Sequence, residues 1–178
     1  MNIIQAPELA EFARLLAVER FQALGPHIHD SFRHAAAILQ QVAQTPVAGF
    51  SLMGRDRQWF RSALGPDMIE TDRNLTFCTY AIELDTPFIV RNASLDPIFE
   101  NHPLLQCEPK IEAYFGISIR DADNQRLGAL CVCDFHPRPM DQAISDVAMR
   151  LKAMLESLLA TQAATGAKAV KVAPDAAA

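Results

Sequence analysis

Residues 111–134 read IEAYFGISIRDADNQRLGALCVCD, and this stretch decides how the fold of the chain is interpreted. In its first half, apolar side chains recur at every second position, as in a half-buried strand: Ile111, Ala113, Phe115, Ile117 and Ile119. The Asp- and Asn-rich segment 121–125 favours a turn. The second half, 127–133, is apolar on both faces, as in a strand covered on both sides. We therefore predict a β-hairpin at the centre of a sheet.

The bulk composition predicts one globular domain with extensions. The chain has 178 residues, of which 50% are hydrophobic and 21% are charged, which is long enough and apolar enough to bury a substantial core. The net charge of -5 gives no general attraction to nucleic acid or to anionic lipid. Neither nucleic acid nor a membrane is therefore expected as a partner.

The termini and the cysteines favour a cytoplasmic location. The N-terminus lacks the cationic start and long apolar run of a signal peptide. Nowhere in the sequence is an uninterrupted apolar run long enough to cross a bilayer. The four cysteines are then expected to be reduced thiols rather than a disulfide framework.

The remaining segments predict an α+β fold with helices at both ends of the chain. Apolar periodicity and stop signals predict helices over 8–24, about 30–44 and 141–162, and strands over 47–53, 58–64 and 87–91. Short loops make the strands antiparallel neighbours. We expect one sheet, with the terminal helices on one face and irregular middle segments on the other.

Three blocks of sequence, in this order, resemble the GAF family of sensory domains: DRQWFRSALGPDMIETDRNLTFCTYAI, PFIVRNASLDPIFENHPLL and YFGISIRDADNQRLGALCVCDFHPRPM. They are most similar to the subset found with bacterial histidine kinases and diguanylate cyclases. The resemblance implies a central antiparallel sheet with a small-molecule cavity on the face opposite the N- and C-terminal helices. It also implies ligand binding or protein–protein signalling, and commonly dimerisation through the terminal helices. On this interpretation, 1–25 form an N-terminal helical extension, 26–162 the GAF domain, and 163–178 a disordered Ala-rich tail.

The chain departs from the family patterns in ways that narrow the expectation. Tyr80 stands where this subset often has a histidine. The Asn-Lys…Phe…Asp-Glu signature of cyclic-nucleotide-binding members is absent, so cyclic nucleotides are not expected as ligands. The sequence carries no kinase, cyclase or DNA-binding segment after the last helix, so a stand-alone domain is expected.

Seven residues form the predicted ligand-binding set. Tyr114 and Ser118 share one strand face and would supply hydroxyls among apolar walls. The segment that begins at Asp96 is expected to close over the cavity, as binding loops often do, although Asp96 before Pro97 is equally well explained as a turn or a cap. The full set is Trp59, Phe77, Cys78, Asp96, Asn101, Tyr114 and Ser118. For Trp59 the simpler alternative is packing beneath the loop that starts at Gly65.

The cysteines allow a catalytic alternative. A few members of the family are free methionine-R-sulfoxide reductases that use cysteines in loops over the cavity, so the resemblance makes Cys78 and Cys107 the alternative catalytic residues. The glycine-rich cysteine motif of those enzymes is missing here. Cys131 and Cys133 point to the same face of a strand, but no second pair has metal-ligand spacing. We therefore expect no metal, and interpret this strand pair as small core residues.

The last helix has apolar residues at heptad-like spacing: Ile144, Ala148, Leu151, Leu155 and Leu158. We expect this stripe both to cover the sheet and to contribute to a homodimer. The leading hypothesis is a non-catalytic sensory domain without a cofactor, which binds an unknown small molecule or a signalling protein. The alternatives are the sulfoxide reductase and a ligand-free interaction domain whose cavity is filled by its own side chains.

Overall fold

A six-stranded antiparallel sheet with helices packed on one face forms the body of the protein. The computed structural model describes residues 6–65, 70–106 and 108–171. The helices are α1 (Ala6–Gln22), α2 (Pro26–Ala43), α3 (Cys78–Ala81) and α4 (Gln142–Lys171). The strands are β1 (Val47–Met53), β2 (Arg57–Leu64), β3 (Glu70–Asp72), β4 (Phe88–Val90), β5 (Ala113–Arg120) and β6 (Arg126–Asp134). They lie in the order β3-β2-β1-β6-β5-β4, and the predicted α+β class is confirmed.

The predicted central hairpin is formed by β5 and β6, and β6 lies between β5 and β1. Its turn is held by the Asp121 carboxylate, which accepts hydrogen bonds from the backbone N–H of Asp123 at 3.0 Å and of Gln125 at 2.9 Å. Asn124 adopts a φ of 62°, a conformation that Asn tolerates better than most residues. The apolar alternation and the turn chemistry therefore agree on one register.

The helix-facing side of the sheet carries the larger core. Phe32 of α2 lies between Phe21 of α1 and Phe50 of β1, with ring centroids 5.0 and 4.5 Å apart respectively. The apolar stripe of α4 is buried in the same core through Ile144, Ala148, Leu151, Leu155 and Leu159. Most of the heptad-like stripe is thus buried by contacts within the chain.

Helix ends differ from the sequence prediction at two places. α2 begins at Pro26 rather than near Asp30, because proline fits the first helical turn, where its missing N–H has no intrahelical partner. α4 continues to Lys171, through residues where a disordered tail was expected to begin, because Ala and Lys are strong helix formers. Residues 172–178 of that tail lie outside the described residues.

The opposite face of the sheet carries a second, aromatic core, which positions the candidate site. Phe99 reaches in from the segment after β4, and its ring lies 4.7 Å from that of Phe77 and 5.0 Å from that of Tyr80. Tyr114 of β5 joins them, 5.3 Å from Phe77. None of the helices in the described part of the chain has the length and hydropathy needed to cross a membrane.

Candidate functional site

A cavity of about 560 Å³ lies on the face of the sheet away from the terminal helices. Its floor consists of residues from β1, β2, β5 and β6, and its walls of the segments around residues 71–78 and 108–111. This volume falls within the range of small-molecule sites, roughly 300–1,000 Å³. The main lining side chains are Val47, Gln58, Phe60, Thr71, Asp72, Leu75, Thr76, Phe77, Cys78, Ile111, Tyr114, Cys131, Cys133 and Phe135.

The lining is mostly apolar, and its polar groups form a connected chain on one side. Gln58 Nε2 donates to Thr71 Oγ1 at 2.8 Å, and Thr76 Oγ1 donates to Gln58 Oε1 at 3.2 Å. The backbone N–H of Cys78 then donates to Thr76 Oγ1 at 3.1 Å. Among the described residues, Thr71 Oγ1 only accepts a hydrogen bond, which leaves its hydroxyl hydrogen for donation to a ligand.

Within the described ranges, three charged residues lie at the rim of the cavity, Arg57, Asp72 and Glu108, and the first two have partners within the protein. Arg57 Nε lies 2.5 Å from Glu70 Oε1 across the β2–β3 pair. Asp72 caps the following 3-10 helix (Arg73–Leu75) by accepting a hydrogen bond from the backbone N–H of Asn74 at 2.8 Å. An anionic ligand would have to compete with Glu70 for Arg57, whereas a neutral ligand would not.

A buried cluster of thiols and one phenol closes the other side of the cavity. Tyr114 Oη donates to Cys78 Sγ at 3.3 Å, and Cys78 Sγ lies 3.9 Å from Cys131 Sγ. Cys131 Sγ in turn lies 3.6 Å from the carbonyl oxygen of Gly49. Cys78, Cys131 and Cys133 are all free and buried, as expected for reduced thiols.

This environment keeps the cluster uncharged. Burial raises the pKa of the Tyr114 hydroxyl well above its ordinary value. The neighbouring Cys131 thiol, and after it burial, raise the pKa of Cys78. For Cys131 the adjacent Cys133 thiol is the largest cause of a raised pKa, with burial acting in the same direction. Because the thiolate is the nucleophile in cysteine chemistry, the arrangement suits packing better than rapid thiol catalysis.

Three of the seven predicted site residues come together at the cavity, namely Phe77, Cys78 and Tyr114. Ser118 lies on the same face of β5 but is not among the lining residues. Its Oγ is buried and makes no hydrogen bond within the described part of the chain. The polar face of β5 therefore continues beyond the residues that line the cavity.

Trp59 lies on the other face of the sheet, so it does not line the cavity. It pairs with Leu52, which belongs to the helix-facing core, and its ring packs against Gly54, where an added Cβ would come within 2.7 Å. Gln58 and Phe60, on either side of Trp59, face the cavity instead. The register of β2 against β1 shifts between Phe50 and Ser51, so the alternation that the sequence predicts does not continue through the rest of β2.

The polar residues of the predicted covering loop make local contacts. Asp96 Oδ1 accepts a hydrogen bond from the backbone N–H of Ile98 at 2.9 Å, which is the turn role considered as its alternative. Asn101 is exposed and contacts the Glu100 carboxylate at 3.4 Å. Neither is among the described lining residues. Cys107 lies outside the described residues.

Sequence reasoning missed Gln58, Thr71 and Thr76, the polar chain of the cavity. They come from β2, β3 and the segment before α3, and they meet only through the β2–β3 register. The one signal in the sequence was the alternation of Gln58 and Phe60 around Trp59. Across the described ranges, no group of three or more His, Cys, Asp or Glu residues is placed to hold a metal ion.

Comparisons with known proteins agree with this fold. The GAF domain family profile matches residues 27–165. The chain is 39% identical over 140 residues to the cyclic di-GMP phosphodiesterase PA2567 of Pseudomonas aeruginosa, and the match covers 78% of this chain but 24% of that protein. This chain thus spans about a quarter of the length of that relative.

Solved structures with the same fold include an enzyme and a GAF domain of a larger protein. A free methionine-R-sulfoxide reductase from Neisseria meningitidis superposes with a TM-score of 0.62 at 17% identity, over 92% of this chain and 98% of that one. The GAF domain of an Acinetobacter phosphoenolpyruvate-protein phosphotransferase gives 0.60 at 15% identity, over 88% and 96%. At these identities the likeness shows the fold, and function has to be argued from the cavity.

Proposed function

This chain belongs to the GAF domain family, and from that premise we propose that it is a non-catalytic sensory domain that binds a small molecule in its cavity. The observation that carries the proposal is the cavity of about 560 Å³, which has apolar walls and a preformed chain of hydrogen-bonding groups on one side. Such a combination holds an apolar molecule by burial and orients it by a few directed hydrogen bonds.

The ligand class that fits is a neutral, largely apolar molecule with at least one hydrogen-bond acceptor. The apolar part would lie against Phe60, Leu75 and Phe135, and the acceptor would face the Thr71 hydroxyl. Support comes from the rim, where Arg57 is paired with Glu70, and from the neutral state of the thiol cluster. An anionic ligand would lose hydration there without gaining a free counter-ion, because Arg57, the cation among the described lining residues, is already paired.

An ion-pair cluster provides a route from the cavity to the N-terminal helix. Arg73 starts the 3-10 helix whose last residue, Leu75, lines the cavity. Arg73 Nη1 lies 3.0 Å from Glu11 Oε1 of α1 and 3.0 Å from the carbonyl oxygen of Gly54. A ligand that displaces Leu75 would act on α1 through this pair, to the extent that it binds the two arrangements with different affinity.

The output is proposed to pass through the outer faces of the terminal helices, to a second copy of the chain or to a signalling protein. α1 exposes three large apolar side chains at helical spacing, Leu9 at 58%, Phe12 at 55% and Leu16 at 40%, and α4 adds Met154 at 51%. The heptad-like stripe of α4 is mostly buried within the chain. We therefore propose that these exposed side chains, rather than that stripe, form the homodimer contacts. The name of the P. aeruginosa relative points to cyclic di-GMP turnover as the signalling pathway served.

The sulfoxide reductase is the second candidate function, because reductases are among the structural neighbours and Cys78 lines the cavity. The raised pKa of Cys78 disfavours it, since a nucleophilic thiolate would be scarce at neutral pH. The test is NADPH consumption coupled through thioredoxin with free methionine sulfoxide as substrate. We expect no turnover above the background rate, and turnover lost in Cys78→Ser would establish the enzyme instead.

Cavity binding is tested with N-phenyl-1-naphthylamine, a neutral apolar fluorophore, and with native mass spectrometry of the protein isolated from its cells. The variant Cys133→Leu places a larger side chain at a lining position and is expected to weaken fluorophore binding by about tenfold or more, which is about 1.4 kcal/mol. Asn101→Leu adds the same side chain at the exposed surface and is the control. Equal binding by both variants and the unaltered chain, with no small molecule carried by the isolated protein, would remove the proposal.

A further inference from the structure

Two thiols from different parts of the chain meet at the wall of the cavity. Cys78 is the first residue of α3, and Cys131 lies in the central strand β6, and their Sγ atoms are 3.9 Å apart. Both line the cavity, as does Cys133 on the same face of β6. None of the three is in a disulfide. A molecule small enough to enter the cavity would therefore reach a pair of neighbouring thiols.

We propose that Cys78 and Cys131 form a dithiol modification site, which a small hydroperoxide entering through the cavity oxidises to an intramolecular disulfide. Both S–H bonds are broken and one S–S bond forms. The two electrons and two protons pass to the hydroperoxide, whose O–O bond breaks to give water and an alcohol, or two waters when the oxidant is hydrogen peroxide. The inference goes beyond ligand sensing and does not depend on the proposed function being correct.

The geometry around Cys131 allows the second thiol to approach. In the sheet Cys131 pairs with Gly49 on one side and Gly116 on the other, so neither neighbour on this face has a Cβ. The Tyr114 ring occupies the space over Gly116, where an added Cβ would lie 2.1 Å from the hydroxyl. That hydroxyl holds Cys78 by a hydrogen bond at 3.3 Å. Cys78 is thus held directly beside its partner.

To form the disulfide, α3 rather than the sheet would have to move. A disulfide brings its sulfur atoms to about 2.05 Å, so the observed 3.9 Å separation has to shorten by about 2 Å. Cys131 is fixed by ladders on both sides, whereas α3 is a four-residue helix between irregular segments. The bond would draw α3 toward β6, and Phe77 and Cys78 would move into the cavity. Oxidation and occupation of the cavity should therefore exclude each other.

The raised pKa values of the two thiols set the conditions for the reaction. Because the thiolate is the reacting form, oxidation should be slow at neutral pH. It should become about tenfold faster for each pH unit up to the thiol pKa, as the thiolate fraction rises. A bulky oxidant that cannot enter the cavity should react more slowly than hydrogen peroxide at equal concentration.

The test is peptide mapping by mass spectrometry of the full chain, fully reduced, treated with hydrogen peroxide and digested without reductant. We expect one linked peptide pair that joins Cys78 to Cys131 and has lost two hydrogen atoms, and reduction should reverse it. Cys133→Ser is the matched control and should keep the link. Cys78→Ser and Cys131→Ser should abolish it while retaining the circular dichroism spectrum of the reduced chain.

The map of the unaltered protein decides the matter even if a serine variant fails to fold. Four results would each overturn the proposal. They are a disulfide between Cys131 and Cys133, a disulfide from Cys131 or Cys133 to Cys107, a disulfide between two copies of the chain, and oxidation that stops at a sulfinic acid. Protection of the two thiols by N-phenyl-1-naphthylamine would support access through the cavity, whereas equal rates with and without the fluorophore would contradict that route.

Discussion

Replacing Arg14 with methionine should destabilise the protein strongly, although Arg14 lies near the start of the chain. Its guanidinium forms a paired contact with Glu11, at 2.7 Å from Nε and 2.8 Å from Nη2. It also donates to the backbone carbonyl oxygens of Met53 at 2.6 Å and of Gly54 at 3.1 Å. Only 9% of the Arg14 side chain is exposed. Arg14 thus fastens α1 to the β1–β2 turn, and methionine keeps the aliphatic stem while removing every one of these bonds.

The expected loss is about 3 kcal/mol of unfolding free energy. Removing one partner of a buried ion pair costs about 3–5 kcal/mol. The low end applies because Glu11 keeps Arg73 at 3.0 Å and its own side chain is 29% exposed. For a chain of 178 residues, this loss corresponds to a fall in Tm of about 6–12 °C. Urea unfolding followed by circular dichroism, at pH 7 and moderate salt, measures it.

Arg20→Met is the matched control, because Arg20 lies on the same helix and also forms ion pairs. Its partners are Asp121 at 3.0 Å and Asp123 at 2.9 Å, but 59% of its side chain is exposed. Exposed pairs contribute about 0–1 kcal/mol, so this variant should lose less than about 1 kcal/mol. If Arg14→Met costs no more than Arg20→Met, the anchoring role of Arg14 is refuted.

The pH dependence provides a second arm. The hydrogen bond from Arg14 is the largest cause that lowers the pKa of Glu11 below its ordinary value of 4.5. A carboxylate with a lowered folded pKa stabilises the fold above its unfolded pKa and loses that contribution as pH falls through the folded pKa. The advantage of the unaltered chain over Arg14→Met should hold at pH 7 and shrink below about pH 4.5. A difference that stays constant down to pH 3 would contradict the assignment.

Three further predictions concern the sheet and the cavity. Gly128→Ala should cost more than about 3 kcal/mol in urea unfolding or prevent folding, because its Cβ would lie 1.8 Å from the backbone oxygen of Ser51. Thr76→Val should cost about 1–3 kcal/mol in the same assay, since it leaves the buried Gln58 carbonyl without its donor. Because the pKa of Tyr114 is raised, stability should be lost as pH rises above 10, the ordinary value; Tyr114→Phe should flatten that alkaline loss in thermal melts.

The sequence was sufficient to predict the parts of the fold that depend on interactions between residues close together in the chain. The hairpin of β5 and β6 follows from apolar alternation and a turn fixed by Asp121, all within one short segment. Phe77, Cys78 and Tyr114 line one cavity, and their role as ligand-binding residues stays a prediction. The irregular register of β2 could not be predicted, because a shift of one residue at Ser51 depends on how β1 and β2 pair in space.

The covering loop shows a different limit of sequence reasoning. Asp96 and Asn101 were chosen because polar loop residues often bind ligands, yet a carboxylate beside a proline satisfies its own turn first. The residue of this segment that reaches the interior is Phe99, which is 1% exposed. Its contacts with Phe77 and Tyr80 link segments far apart in sequence, and no local sequence pattern predicts such contacts.

The position of β6 between β1 and β5 has a consequence for synthesis on the ribosome. β1 pairs locally with β2, but its other edge is covered only by β6, which emerges much later. Until then the nascent chain presents an unpaired apolar edge, of the kind that invites association with other chains. Closure of the sheet waits for residues 126–134, so a chain interrupted before them would leave the ribosome with its middle strand missing.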